Sequence, residues 1–246
     1  MTDKIFVIKL GGSIIFPKLG YINTNYLEQL KRILQEYINQ GSRFILIIGG
    51  GTICRWYQDY AKKYLGICSK EDLNRIGAAV TRANAEVVRS FFGNLAYPEN
   101  YHNFKKTIRW TQPILVASAW KTGRSTDADA ILLAKKFNSQ TLMVASNTDY
   151  IYTRDPKKNQ GARPLTSLTW DTYQKLLRKI TDPTRHLPGA HVPFDVSATR
   201  LAKTSGIKVI FFNGENMSNF EKALQGKDFI GTTITSSALR LRKQTR

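Results

Sequence analysis

The chain has 246 residues, 42% hydrophobic and 22% charged, with 37 Lys and Arg against 18 Asp and Glu for a formal net charge of +19. Such a composition excludes wholesale disorder and allows a sizeable core without staples, while the cationic excess points to anionic partners: nucleotides, nucleic acid or a membrane surface. No apolar run approaches the ~18 residues of a membrane span, the cysteines (Cys54, Cys68) and histidines (His102, His186, His191) follow no metal or redox spacing, and the N-terminus lacks a signal-peptide pattern, so a cytoplasmic protein is expected.

Along the chain, Lys4–Ile8 reads as a short strand that stops at Gly11-Gly12-Ser13. Thr24 is the expected N-cap of a helix carrying Leu27, Leu30, Leu34 and Ile38, which Gly41 ends. Arg43–Ile48 is a buried strand closed by Gly49-Gly50-Gly51, and Ile53, Trp56, Tyr57 and Tyr60 mark the next helix. A longer helix runs from about Leu73 to Phe92 with Ile76, Val80, Ala83, Val87 and Phe91 on one face, and Trp56, Tyr57, Phe91 and Phe92 are expected in the core. Pro113–Ser118 is strand-like and opens a polar loop, Trp120–Asp127, before a helix through Ile131 and Ala134. Thr141–Ala145 is a strand ended by Ser146-Asn147-Thr148-Asp149, and Arg154–Pro164 reads as a basic loop. Helices near Asp171–Ile180 and Ser197–Thr204, a strand Ile207–Phe212, a helix near Ser218–Leu224 and a strand Phe229–Ile234 complete the pattern, ahead of a basic tail with Arg240, Arg242, Lys243 and Arg246.

Strands alternating with helices predict an α/β fold with a mainly parallel sheet covered on both faces. Ligands of such sheets gather at the carboxyl ends of the strands. Here those ends are two glycine clusters and two polar loops. Glycine lets backbone N–H groups approach phosphate oxygens, and a following helix adds its donors and dipole. Neither cluster fits the P-loop or the dinucleotide fingerprint. Locally, each also reads as a tight turn, Lys9 as a solvated strand end, Thr126-Asp127 as a helix N-cap and Asp149 as a loop cap.

The run Val7-Ile8-Lys9-Leu10-Gly11-Gly12-Ser13 resembles the opening of the amino acid kinase superfamily. Matches follow in order at Ile48-Gly49-Gly50-Gly51 with Arg55, at Thr81-Arg82-Ala83-Asn84-Ala85, and at Ser125-Thr126-Asp127-Ala128. They continue at Asn147–Lys158, Phe194-Asp195, Ser205-Gly206-Ile207-Lys208 and Gly231-Thr232-Thr233-Ile234, and together resemble the archaeal-type UMP kinase branch. The resemblance implies a three-layer α/β/α sandwich spanning residues 1–246, with an acceptor lobe over about 1–138, an ATP lobe over about 139–234 and a basic tail over 235–246. It further implies transfer of the ATP γ-phosphoryl group to UMP, Mg2+ carried by the nucleotide phosphates without a protein metal site, and a homohexamer. By resemblance, Lys9, Leu10, Gly11, Gly12 and Ser13 hold the ATP phosphates, Gly51 and Arg55 also face ATP, and Ser146, Asn147, Tyr152 and Asp155 surround its adenosine end. Gly50, Asn74 and the loop residues Trp120, Lys121, Thr122, Gly123, Arg124, Ser125 and Thr126 hold UMP. Lys9 is catalytic, and Asp149 organises the lysine or the magnesium near the transfer point.

The chain departs from the family pattern at four places. Asn74 stands where an aspartate usually meets the UMP ribose, and Ser146 replaces a threonine. The acceptor loop reads Ala117-Ser118-Ala119-Trp120 and ends Ser125-Thr126-Asp127, and Tyr150 fills a glycine position. Two other functions are compatible with the sequence. One is a kinase of the same fold for another small phosphate; for isopentenyl phosphate, Thr52-Ile53-Cys54-Arg55 lacks the expected histidine. The other is a non-catalytic nucleotide- or nucleic-acid-binding regulator, which rests on the charge and the tail.

Overall fold

The computed structural model describes residues 4–66, 69–156, 159–180 and 194–236; Cys68, Lys157, Lys158, His186, His191 and the tail beyond 236 lie outside them. In chain order the elements are β1 (Ile5–Leu10), α1 (Gly12–Ile15), α2 (Thr24–Ile38), β2 (Arg43–Ile48), α3 (Gly51–Tyr64), α4 (Lys70–Phe92), β3 (Ile114–Ala117), α5 (Thr126–Lys136) and β4 (Thr141–Ser146). They continue with β5 (Ile151–Tyr152), β6 (Pro164–Leu165), β7 (Ser167–Thr169), α6 (Trp170–Ile180), α7 (Val196–Ser205), β8 (Lys208–Asn213), α8 (Met217–Gln225) and β9 (Thr232–Thr235).

Seven strands form one sheet in the order β3-β2-β1-β4-β8-β9-β7. Every pairing is parallel except β8 with β9. Both faces are covered, which is why β1, β2 and β3 read as continuous apolar runs rather than alternating ones. Ile8, Leu10, Leu46, Ile48, Met143 and Phe212 pack on one face beneath α2, α4 and α8. Val7, Ile45, Ile47, Leu142, Val144 and Phe211 pack on the other beneath α5 and α6, with α7 against α5. The expected three-layer α/β/α sandwich is what the chain builds.

Several local expectations are corrected. The cap of α2 is Asn23, one residue before Thr24, and its side chain accepts from the Tyr26 N–H at 3.1 Å. Helix α4 starts earlier than its apolar spacing suggests, because Ser69 and Asp72 form a capping box. Its inward face is Leu73, Ala78, Thr81, Asn84, Ala85, Val88 and Phe92, so Ala83 and Val87 face outward. The middle of that face, Ala78, Thr81, Asn84 and Ala85, is small or polar where α4 lies against Gly50. Trp56 and Tyr57 are 42% and 49% exposed and so are not core; Phe91 is half-buried and only Phe92 is buried. With Tyr60 and Tyr64 they form an aromatic ladder along the outside of α3. The basic stretch after Tyr152 is anchored as a hairpin, with β5 antiparallel to β6 and the Thr153 N–H donating to the Arg163 carbonyl at 3.0 Å.

Candidate active site

The parallel strands β1, β2, β3, β4 and β8 all end at one edge of the sheet, and there the chain forms a cleft of about 300 Å3. The first turns after β1 and β2 touch backbone to backbone. A methyl group on Gly12 would sit 2.3 Å from the Gly51 nitrogen and 2.5 Å from the Gly49 oxygen. Gly51, at φ +68°, could carry no side chain without meeting the Gly12 carbonyl at 2.6 Å. The Gly11 N–H donates to the Ala145 carbonyl at 2.8 Å and ties the first turn to β4. From α4, the Asn84 side-chain amide donates to the Gly49 and Gly50 carbonyls at 3.0 and 2.9 Å. That contact turns the carbonyls of the second turn toward the protein. Arg55 on α3 donates to Ser13 Oγ at 3.1 Å and Thr52 Oγ1 at 3.0 Å, latching α1 to α3.

Lys9 lies at the floor of this cleft. Its ammonium meets Asp127 at 2.7 Å, the two side chains being only 15% and 11% exposed. Asp127 sits in the first turn of α5, where a carboxylate also benefits from the helix dipole. The N-cap of that helix is Ser125, which accepts from the Ala128 N–H at 3.1 Å. Ser125 Oγ in turn donates to Asp195, which caps α7 by accepting from the Ser197 and Ala198 N–H groups at 2.7 and 3.0 Å. Asp195 therefore locks the starts of α5 and α7 together. The local alternative of Thr126-Asp127 as the N-cap is not what the structure has.

Across from the glycine turns stands the loop between β3 and α5. Its Arg124 guanidinium lies 5.1 Å over the Trp120 ring and 3.7 Å from Asp129, a fully buried carboxylate on α5. Asp129 also accepts from the Trp120 backbone N–H at 2.9 Å. Burial raises the Asp129 carboxyl to about 6, against the lowering effects of the Trp120 amide and Arg124. Cys54 borders the cleft as well, and burial pushes its thiol up.

Of the residues singled out from sequence, Lys9, Gly11, Gly12, Ser13, Gly50, Gly51, Arg55, Asn74, Arg124, Ser125, Thr126, Ser146 and Asn147 line this one cleft. Leu10 does not; its side chain is in the core, and only its carbonyl takes part, accepting from the Gly49 N–H at 3.1 Å. Trp120, Lys121, Thr122 and Gly123 do not line it directly, although Gly123 faces the Asn74 amide, 3.7 Å from where its Cβ would be. Tyr152 lies on the hairpin, and Asp155 and Asp149 are exposed outside the cleft lining. The carboxylate that holds Lys9 is Asp127. Asp129 and Asn84 have no role in the sequence pattern alone. The available signal for Asp129 is that it is the one charged residue in the otherwise apolar Ala128–Ala134 stretch of α5.

Residues 4–213 match the amino acid kinase family. The chain is 30% identical over 233 residues to the uridylate kinase of Methanoculleus marisnigri, covering 94% of this chain and 95% of that one. It is 27% identical over 231 residues to the uridylate kinase of Thermofilum pendens, covering 93% and 96%. Among solved structures, the uridylate kinase of Archaeoglobus fulgidus superposes with a TM-score of 0.73 at 25% identity, over 94% of this chain and all of that one. The UMP kinase of Bacillus anthracis shares the fold at a TM-score of 0.72, over 96% of this chain and 97% of that one. A cleft of touching glycine turns around a half-buried lysine, on a sheet shared with these proteins and under a family match spanning most of the sequence, places this chain in the amino acid kinase family.

Proposed function

We propose that the chain is a uridylate kinase that moves the γ-phosphoryl group of ATP onto the phosphate of UMP. The observation that carries this is the layout of one cleft. A lysine and paired glycine turns lie on one side, and an arginine and an amide lie on the other. The N-terminal part, about residues 1–138, supplies the acceptor side, and residues 139–234 supply the adenosine side through Ser146, Asn147 and the hairpin bearing Tyr152 and Asp155.

Transfer between phosphates needs positioning and charge neutralisation and no covalent intermediate. The Gly11–Ser13 and Gly49–Gly51 turns offer backbone N–H groups to phosphate oxygens. Lys9 stabilises the charge that grows on the moving group. Asp127 keeps the ammonium aimed while the cleft is empty and surrenders it to a more highly charged phosphate. Arg124 presents a planar fork that a phosphate can accept from at two oxygens. Mg2+ travelling with ATP would spread the phosphate charge. Such an ion is held by phosphates and one or two carboxylates rather than a protein cage. No group of three metal-ligating side chains occurs among the described residues, and Asp127 is engaged by Lys9.

A homohexamer, implied by the resemblance, would give the aromatic ladder of α3 something to cover it. A cytoplasmic setting fits the absence, among the described residues, of any helix long and apolar enough to cross a membrane. The decisive experiment is a coupled ADP-release assay across UMP, CMP, AMP and isopentenyl phosphate. UMP should be turned over fastest; preference for any other acceptor would overturn the substrate while leaving the kinase.

A further inference from the structure

We propose that Asp129 is the positioning residue of the acceptor loop: its buried carboxylate holds the Trp120 amide and draws one edge of the Arg124 guanidinium inward, so that the other edge faces the acceptor phosphate. The proposal rests on the reading of the cleft as a nucleoside monophosphate site.

The geometry is unusual for a purely structural aspartate. Asp129 is 0% exposed, yet only Oδ2 has a hydrogen bond, from the Trp120 N–H at 2.9 Å. Oδ1 has none among the described residues, and neither does Arg124 Nη1, which stands 3.7 Å away as its ion-pair partner. An unsolvated carboxylate oxygen without a hydrogen bond is costly. An asparagine would accept from the Trp120 amide equally well and carry no charge into the interior. The negative charge therefore serves the one thing an amide could not hold, the guanidinium.

Arg124 is half-buried, with its plane over Trp120 at 5.1 Å, and it lines the cleft. Trp120 is fixed from behind by Phe104, ring centroids 5.3 Å apart, and its carbonyl accepts from Arg82 at 3.4 Å. The loop thus has a rigid aromatic base, a buried anion beneath it and a cation facing the substrate. The charged groups that face Asp129 are Arg124 from the loop and Asp195 from the cap of α7, which opposes its ionisation. On its own helix, Asp127 turns instead to Lys9 of β1.

Two consequences follow from the direction in which burial moves this carboxyl. The folded group titrates near 6, above its ordinary 3.8, so the folded chain binds more protons than the unfolded one between about pH 4 and 6. Ionisation of Asp129 therefore costs stability as pH rises through that window, and the cost is full above it. Asp129→Asn should melt no lower than the parent at pH 7.5, and higher if the amide keeps the Trp120 hydrogen bond. The same substitution should raise the KM for UMP about tenfold at pH 8, the size expected for a charge-assisted contact weakened by misorientation, with the KM for ATP unchanged.

Because a phosphate monoester also titrates near pH 6, the informative quantity is the ratio of variant to parent KM for UMP at each pH. That ratio should fall from about 10 at pH 8 toward about 1 at pH 5, where the parent Asp129 is itself neutral. A ratio that does not change with pH, or an equal rise in the KM for ATP, overturns the proposal. Hydrogen exchange of the peptide spanning residues 117–125, measured without nucleotide, separates this from the choice of acceptor. Exchange at the Trp120 amide should quicken in Asp129→Ala and stay slow in Asp129→Asn. If the parent turns over no UMP but the exchange result holds, the clamp stands and the acceptor is wrong; unchanged exchange in Asp129→Ala sinks the clamp itself.

Discussion

The two walls of the cleft are made of different material. The wall of glycine turns is main chain packed on main chain, with Gly12 and Gly51 too close for a single methyl group between them. The opposite wall is made of side chains: Arg124 over Trp120, Asp129 beneath, and Asn74 facing Gly123. Backbone N–H groups differ little between residue types other than proline, so the glycine turns act through main-chain shape, with Lys9 adding the charge. The second wall can be changed one side chain at a time without moving the sheet. A fold built this way has one wall that resists substitution and one that stays open to retuning.

That contrast can be broken most severely at Gly12. Gly12→Ala pushes a carbon into the Gly51 nitrogen at 2.3 Å, and backbone cannot yield as a flexible side chain can. Activity should fall more than ~100-fold together with a lower melting temperature, because both turns must separate. Full activity in a correctly folded Gly12→Ala protein would show that the turns do not hold a phosphate. Next in size is Lys9→Ala. Loss of a preorganised cation at the transfer point should lower kcat by about 10²-fold with a smaller effect on melting, as Asp127 loses its Lys9 partner. The smallest effect belongs to the side-chain wall. Asn74→Asp should lower the KM for UMP about fivefold, since a carboxylate accepts a stronger hydrogen bond from a ribose hydroxyl than an amide does. The KM for ATP should stay where it is, and a parallel shift in both constants would mean that the walls are not independent.

The glycine wall was largely legible from sequence because its physics is local. A strand of continuous apolar residues followed at once by glycines already says that backbone must come close to something, and Lys9 and Gly49–Gly51 do line one cleft. The side-chain wall was less legible because its contacts join distant parts of the chain. By resemblance Asp149 organises the lysine or the magnesium, whereas the helix start that faces the lysine carries Asp127. Asp129 looks from sequence like one more charge near a helix N-terminus, and only the packing of α5 on the sheet buries it. The face of α4 was misread for a related reason. Periodicity finds the bulkiest apolar stripe, but close approach to a glycine turn selects small and polar residues such as Asn84, which reaches two carbonyls. The aromatics of α3 follow helical spacing as a core stripe does, and nothing local distinguishes a stripe turned outward from one turned inward.

That outward ladder gives the molecule a built-in optical property. The Trp56 ring lies 5.0 Å from Tyr57 and 5.4 Å from Tyr60, and Tyr60 lies 4.4 Å from Tyr64. At such separations, light absorbed by the three phenols passes to the one indole, which then emits from an exposed position. Since α3 begins at Gly51, inside the contact between the two turns, the antenna is mounted on the same rigid rod as the wall it adjoins. Emission from Trp56 therefore reports on that rod once the signals of Trp110, Trp120 and Trp170, the last 6.3 Å from Tyr173, are separated from it.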